Sequence, residues 1–160
     1  MPHENHPLSS GTPVRAVDFP PSVQAYAQIT IANITDTSYV TGSPEIAVRF
    51  MAPTSGRVMV TVAAGLRNNS ATADRVFVSF RLFEGDPDDA DLIQTNDVKY
   101  GVSNYAVSDA ADDYAYSGHT TVVGGLDPGT FYYAQVQHHV TAGNGTADIA
   151  FRRITVIPVP

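Results

Sequence analysis

Two long runs of alternating apolar and polar residues near the C-terminus constrain the fold more than any other feature. The runs cover residues 130–140 and 146–157, and Asn144-Gly145 lies between them. Asn-Gly between alternating runs is a strong signal for a β-hairpin, so we expect the two runs to pair in one sheet. Their apolar faces stay matched along the pairing only if the last strand has one extra residue at Arg152-Arg153. The sequence therefore predicts a β-bulge at that position.

The same period of two recurs along the rest of the chain. Residues 46–50 and 58–62 alternate on either side of a turn at 52–56, which predicts a second hairpin. No segment of useful length spaces its apolar residues at the 3.6-residue period of a helix. About eight short strands with Gly and Pro turns predict an all-β fold, an antiparallel, jelly-roll-like β-sandwich. The residues predicted to point inward are Ala25, Ala27, Ile29, Ile31, Ile46, Val48, Phe50, Val58, Val60, Val62, Val76, Val78, Phe80 and Leu82.

Composition excludes several classes of partner and site. The chain has 160 residues, a length typical of one domain, and no cysteine, which excludes disulfides and thiolate metal sites. Its net charge of −7 and its single lysine, Lys99, argue against binding to nucleic acid or to an anionic membrane. No apolar stretch reaches the roughly 20 residues that span a bilayer. The first residues lack the basic and apolar regions of a signal peptide, so we expect assembly in a host cytoplasm.

The chain divides into an arm and a domain. Residues 1–22 are rich in proline and poor in aliphatic side chains, which predicts an extended N-terminal arm. The arm is either a floppy tail or a segment that orders on a neighbouring subunit through Val14, Val17 and Phe19. Residues 23–160 are expected to form a single β-sandwich domain. Within it, residues 84–118 carry nine of the sixteen acidic residues and are predicted to be an acidic, tyrosine-rich loop region with short strands at 92–93 and 98–102.

Aromatic residues also occur where the alternation points away from the core. Uncharged aromatic and amide side chains on an outer face are typical of a buried subunit contact. His138, in contrast, falls on the inward row and is predicted to be a hydrogen-bonded core histidine. The predicted outer-face contact residues are Phe77, Phe83, Phe131, Tyr133 and His139.

Two groups in the acidic region could bind a ligand. Tyr100, Tyr105, Tyr114 and Tyr116 lie among aspartates, and aromatic faces beside carboxylates can bind sugars; alternatively, these tyrosines cap the sandwich or meet a neighbour. The acidic run at 84–91 has spaced oxygen ligands but lacks the glutamate that ends a calcium loop, so we predict a solvated loop and no metal site. No nucleophile elbow, phosphate-binding loop or zinc motif occurs. We therefore predict no catalytic residue, no cofactor and no enzymatic activity.

The corner at residues 126–136, Leu-Asp-Pro-Gly-Thr-Phe-Tyr-Tyr-Ala-Gln-Val, resembles the one before the penultimate strand of fibronectin type III domains. The resemblance implies that Leu126 packs inward and that the hydroxyl of Tyr132 bonds back to the loop, a structural role. The tryptophan of an early strand in that family is missing, because the chain has none. A fibronectin type III or immunoglobulin-like sandwich is therefore the alternative fold.

A second resemblance covers residues 35–65 and 115–160. The phrases Ile-Ala-Val-Arg-Phe-Met-Ala-Pro-Thr-Ser-Gly from Ile46, the Gly-Leu-Asp-Pro-Gly corner and the ending Arg-Arg-Ile-Thr-Val-Ile-Pro-Val-Pro resemble small β-sandwich virion proteins of tailed bacteriophages of actinobacterial hosts. The strand order is also similar to trimeric jelly-roll heads of the complement and tumour-necrosis-factor superfamily.

This second resemblance implies a structural function. We expect a homotrimer on the virion surface that contacts a phage capsid or tail protein, with capsid decoration as the first interpretation. A minor tail or fibre protein and a carbohydrate- or receptor-binding module are the alternatives.

Overall fold

Two antiparallel β-sheets pack face to face in the computed structural model. The structure describes Arg15 and residues 18–69, 75–87, 91–105, 114–141 and 146–159, with Tyr105 described by its backbone alone. The strands of the described residues are β1 (Val23–Ala27), β2 (Ile31–Ile34), β3 (Val40–Thr41), β4 (Ala47–Met51), β5 (Val58–Asn68), β6 (Arg75–Glu84), β7 (Leu92–Gln94), β8 (Val102–Tyr105), β9 (Ala115–Val123), β10 (Phe131–Val140) and β11 (Ala147–Pro158).

The strands form two sheets, and in neither sheet do neighbouring strands simply follow the order of the chain. Sheet A has the order β1–β11–β5–β9, with β2 also paired to β11. Sheet B has the order β3–β10–β6–β7, with β4 paired to β10 and β8 paired to β6. The prediction of an all-β, antiparallel sandwich is confirmed.

The core lies between the inner faces of the two sheets. The inward rows of β4, β5 and β6 are buried as predicted, because alternate residues of a strand point to the same face. The prediction is wrong at Ile29, which is 60% exposed. β1 ends at Ala27 and β2 begins only at Ile31, so Ile29 lies in the connection and leaves the inward row.

Both predicted hairpins are wrong, although the strands themselves exist. β10 pairs with β3, β4 and β6 in sheet B, whereas β11 pairs with β1, β2 and β5 in sheet A. Likewise β4 belongs to sheet B and β5 to sheet A. The chain therefore changes sheet after β4 and again after β10. Alternation is satisfied equally by a hairpin and by a crossing connection, because in both cases the apolar residues face one core.

The irregularity predicted in the last strand is present, but against a different neighbour. Ala150 pairs with Gly65 and Arg153 with Ala63, so β11 has one more residue than β5 between these pairs. Phe151 has a φ of 51°, a left-handed backbone conformation that is uncommon for a bulky residue. The bulge points Phe151 outward and Arg152 into the core.

The acidic region is partly regular. The predicted strand at 92–93 is confirmed as β7, but the strand predicted over 98–102 is wrong. Val98–Tyr100 forms a 3-10 turn in which the Asp97 side chain accepts from the Lys99 backbone N–H at 3.0 Å, and β8 begins only at Val102. An Asp at the start of such a turn satisfies a backbone donor that has no partner within the turn.

Most of the predicted arm lies outside the described residues, including Val14 and Val17. Phe19 is described and is 54% exposed. Beside it, Asp18 accepts hydrogen bonds from the Arg15 backbone N–H at 2.7 Å and from Thr54 Oγ1 at 2.5 Å. The end of the arm is thus tied to the turn between β4 and β5.

Candidate interaction surface

The outer face of sheet A presents an apolar surface to solvent. Strand pairing fixes which residues share it, because residues directly paired in adjacent strands point to the same side. One row joins Val122, Met59 and Ile157, and the next joins Thr120, Thr61, Thr155 and Gln24. A third row joins Gly118, Ala63, Arg153 and Tyr26, and Tyr116 and Phe151 lie beyond it. We call this set the open face.

Five large apolar side chains of the open face are solvent-exposed. Tyr26 is 59% exposed, Tyr116 64%, Val122 59%, Phe151 46% and Ile157 37%. Val122 and Ile157 lie on one side of the Thr–Gln row, and Tyr26, Tyr116 and Phe151 lie on the other. Single exposed apolar residues are ordinary, whereas several large ones on one sheet face are typical of an interaction site.

The polar side chains of the open face largely satisfy one another. Thr61 Oγ1 and Thr120 Oγ1 are 2.8 Å apart, and Thr155 Oγ1 donates to Gln24 Oε1 at 3.4 Å. Hydroxyls that already have partners lose less on desolvation than free ones. A partner can therefore cover the row of threonines and Gln24 with a small loss of desolvation free energy.

Aromatic rings and an ion pair close the open face at one end. The rings of Tyr116 and Phe151 are 5.6 Å apart between centroids, and Tyr116 lies directly over Gly65, where a Cβ would come within 2.6 Å of the ring. Next in line, the Arg67 guanidinium lies 5.0 Å from the Tyr114 ring centroid. Arg67 also forms an ion pair with the buried Asp148. At this end of the open face, the positive charge of Arg67 is therefore neutralised by Asp148.

Asp148 accepts hydrogen bonds from several groups at this end of the open face. It accepts from the Asn33 backbone N–H at 2.8 Å, from Asn69 Nδ2 at 2.7 Å and from Arg67 Nε at 3.1 Å. Burial by itself raises the pKa of the Asp148 carboxyl, but these hydrogen bonds and the Arg67 charge lower it overall. Asp148 therefore stays ionised and holds β2, β5 and β11 together.

Two of the aromatic contact residues predicted on sheet B are buried in the structure. Phe77 is 7% exposed and Phe83 1%, because the chain itself covers them. The His139 ring stacks on Phe77 at 4.8 Å, and Tyr39 packs edge-on against His139 at 4.2 Å. Phe77 and Phe83 therefore have little surface left for a partner, which corrects the expectation for these two residues.

The remaining predicted contact residues of sheet B are more accessible. Phe131 is 47% exposed, with the Arg49 guanidinium 4.5 Å from its ring centroid. Tyr133 is half-buried and donates to Glu45 Oε1 at 2.5 Å. Burial and this hydrogen bond raise the pKa of Tyr133 to about 12, and the same bond lowers the pKa of Glu45. Contact of these residues or of His139 with a partner stays a prediction.

The three tyrosines of the predicted ligand loop whose side chains are described do not form one cluster. Tyr100 packs against the core, with its ring centroid 6.1 Å from that of Phe80, whereas the rings of Tyr114 and Tyr116 are 6.3 Å apart. Tyr105 belongs to β8, and its side chain lies outside the described parts of the structure. Tyr116 also lies beside Phe151 of the open face, with 5.6 Å between the ring centroids.

Three residues predicted to point inward are buried, as expected. The Tyr132 hydroxyl accepts from the Asp127 backbone N–H at 2.9 Å, and Leu126 is 5% exposed, which confirms the predicted corner. His138 is 2% exposed, confirming its inward position, but its Nδ1 has no hydrogen-bond partner in the described structure. Burial, followed by the positive charge of Arg152, lowers the pKa of His138 to about 4. It is therefore neutral near pH 7.

No group of three or more His, Asp or Glu side chains that could hold a metal ion occurs in the described part of the chain. Residues 88–90 of the acidic run lie outside it. None of the described helical segments is long and apolar enough to cross a membrane.

Most of the open face was not predicted from the sequence. Tyr26, Val122, Phe151 and Ile157 were not singled out, although Met59 and Thr61 were visible as an outward, uncharged pair. The signal that could have identified this face is its low number of charged residues. In the described strands, Arg153 is the sole charged residue of the open face between Tyr116 and Val122.

Comparisons with known proteins give similarity of fold alone. No protein-family model matches the chain, and no relative is found among curated proteins. Latent PorU from Porphyromonas gingivalis matches 84% of this chain at 7% identity and a TM-score of 0.45, but this chain spans 12% of that one. The Eiger TNF structure from S. frugiperda matches 88% of this chain and 94% of its own length at 8% identity and a TM-score of 0.44.

A third similar structure is the CBM36-1 domain of a multidomain xylanase from the hindgut metagenome of Trinervitermes trinervoides. It matches 88% of this chain and 99% of its own length at 12% identity and a TM-score of 0.40. These identities and scores are too low to transfer an activity or a partner.

Proposed function

We propose that this chain is a non-enzymatic structural protein of a tailed-bacteriophage particle, a homotrimer that docks on the shell as a capsid decoration protein. The open face carries the proposal, because a four-strand surface with five exposed apolar side chains is suited to a partner and not to catalysis. The sequence phrases that resemble those of phage β-sandwich proteins support this class of assembly. The protein is made in the host cytoplasm and ends at the virion surface.

The mechanism is passive. A rigid sandwich binds a repeated lattice through many weak contacts, and avidity makes the sum strong. Residues 1–22 add contact area along a neighbouring shell or tail protein, with Phe19 exposed at the end of the arm. No chemistry on the partner is required.

The test is the location of the chain in purified virions of the phage that encodes it. Immunogold electron microscopy with an antibody against residues 23–160 is expected to label the heads. Label confined to the tail would replace decoration by the minor tail or fibre alternative. Absence from washed particles, checked by mass spectrometry, would refute the virion role.

A second experiment tests the arm. Particles lacking the protein are mixed with the full chain or with a chain lacking residues 1–20, and the bound fraction is measured after sedimentation. Deletion is expected to weaken binding at least about tenfold. Equal binding by both chains would remove the arm from the mechanism.

The second candidate function is carbohydrate or receptor binding, favoured by the exposed rings of Tyr116 and Phe151, with the half-buried Tyr114 beside Tyr116, at one end of the open face. Aromatic rings of this kind can pack against the apolar faces of sugars. A glycan array probed with the full chain tests it, with Tyr116→Ala as the variant and Tyr26→Ala as the matched control. Binding lost only in Tyr116→Ala would support this function over docking.

A further inference from the structure

We propose that the open face of sheet A is covered by a second copy of this chain. The inference rests on the proposed function, since it assigns the surface through which the homotrimer forms. In the contact we infer, the β9 side of one copy packs on the β1–β11 side of its neighbour.

The first argument is the distribution of charge. The chain has a net charge of −7, so two copies repel one another over most of their surfaces. Between Tyr116 and Val122, the described residues of the open face carry no acidic side chain. Identical copies therefore approach there with the least repulsion.

The second argument concerns Arg153. Its side chain is exposed on the open face, and no ion pair or hydrogen bond joins it to a described residue. Arginine is enriched at protein interfaces, where its planar group can bond to carboxylates or carbonyl oxygens. The β9 side of a neighbour, which has no acidic residue, offers it hydroxyl and backbone carbonyl oxygens as acceptors.

Strand β9 also lacks the residues that usually protect an edge strand from association. Within the described residues it is the last strand of sheet A, nine residues long, with no lysine, arginine, acid or proline. Edge strands of monomeric proteins are usually shielded by such residues, because an open edge invites association. Tyr116 and Val122 project from this unshielded edge strand.

The two halves of the open face complement each other. The β9 half presents Tyr116 and Val122 around the small residue Gly118, and the β1–β11 half presents Tyr26, Phe151 and Ile157. A contact between unlike halves is heterologous, and such contacts close into rings when the rotation allows. Each copy then buries both of its halves, and a ring of three matches the predicted trimer.

Sedimentation equilibrium of the full chain tests the inference. We expect an assembly of at least two copies at micromolar concentration, and Val122→Asp is expected to raise the dissociation constant at least about tenfold. Ser103→Asp is the matched control, because Ser103 is exposed on β8 of sheet B, and it is expected to leave the assembly intact. A monomeric chain at 100 µM, or equal weakening by both variants, would overturn the inference.

Cross-linking gives a second measurement that does not depend on a destabilising substitution. The chain lacks cysteine, so Gln24→Cys/Thr120→Cys carries the only two thiols. The two positions lie on opposite outer strands of sheet A, about 14 Å apart across three strand spacings, too far for a disulfide within one copy. Oxidation or a short bismaleimide is expected to link copies.

Gln24→Cys/Ser103→Cys is the control and is expected to stay unlinked. Equal linking of both pairs would overturn the assignment of the face. A chain that assembles but is absent from virions refutes only the proposed function. A chain that is monomeric in solution yet present on the capsid refutes this inference and the trimeric state, and leaves the virion role standing.

Discussion

At the scale of single residues, His138 is the most consequential group in the core. Its neighbours with charge are Arg152, Asp36 and His139, and burial dominates in lowering its pKa to about 4. In the unfolded chain it titrates near 6.5, so between these values the unfolded state binds more protons. Stability is therefore full above about pH 6.5 and falls as the pH drops toward 4.

The full difference in pKa corresponds to roughly 3 kcal/mol of unfolding free energy. Urea denaturation at pH 7, 5.5 and 4.5 measures it, and His138→Leu is expected to lose most of the dependence over this range. The lowered pKa of Asp148 places its own contribution below this range. Parallel pH profiles for the wild type and His138→Leu would contradict the assignment.

The hydroxyl of Tyr132 gives a second test at the residue scale. Tyr132→Phe removes one hydrogen bond to the Asp127 backbone N–H and is expected to lower the unfolding free energy by about 1 kcal/mol. Tyr133→Phe is the matched control, since its partner Glu45 is exposed and can bond to water instead. Chemical denaturation of both variants should therefore show a larger loss for Tyr132→Phe. The reverse order would show that the corner contributes little.

At the scale of strands, Asp148 joins three elements that the sequence does not place side by side. Asp148→Ala leaves the Asn33, Asn69 and Arg67 donors without their acceptor, and we expect a loss of about 2–4 kcal/mol. Asp148→Asn retains an acceptor oxygen and should cost less. Thermal unfolding ranks the two variants, and equal midpoints for Asp148→Ala and the wild type would refute the anchoring role.

Strand faces were predictable from the sequence, but strand neighbours were not. Val76, Val78, Phe80 and Leu82 are all fully buried, because alternation is a local property of one strand. The pairing of β10 with β4 and β6, instead of β11, depends on contacts between distant segments. The bulge in β11 was predictable because the alternation of apolar and polar residues changes phase within β11 itself. The strand predicted to pair with β11 at the bulge was wrong.

The candidate surface was harder to predict for a related reason. Alternation identifies Phe77 and Tyr26 equally as outward, and a sequence does not show which outward face the rest of the chain covers. Tyr39 and His139 close over Phe77, while Tyr26 keeps 59% of its surface exposed. Burial therefore removes Phe77 from the predicted contact surface, whereas Tyr26, which the sequence did not single out, stays accessible.

At the scale of the whole molecule, electrostatic repulsion and apolar burial oppose one another when copies meet. The net charge of −7 repels at a distance, and the open face attracts by burial of apolar area at contact. Salt screens the charge repulsion, because the Debye length falls from about 14 Å to about 4 Å between 50 and 500 mM salt. The attraction from apolar burial stays nearly unchanged. Raising the salt is therefore expected to tighten self-association severalfold.

Sedimentation equilibrium at 50, 150 and 500 mM NaCl measures this trend on the full chain. Val122→Asp is expected to remain dissociated at every salt concentration, because screening cannot restore apolar area that a carboxylate has replaced. Dissociation of the wild-type assembly by salt would mean that ion pairs, and not the apolar rows of sheet A, hold the copies together. In that case Arg153 would carry the contact, and Arg153→Gln would dissociate it as effectively as Val122→Asp.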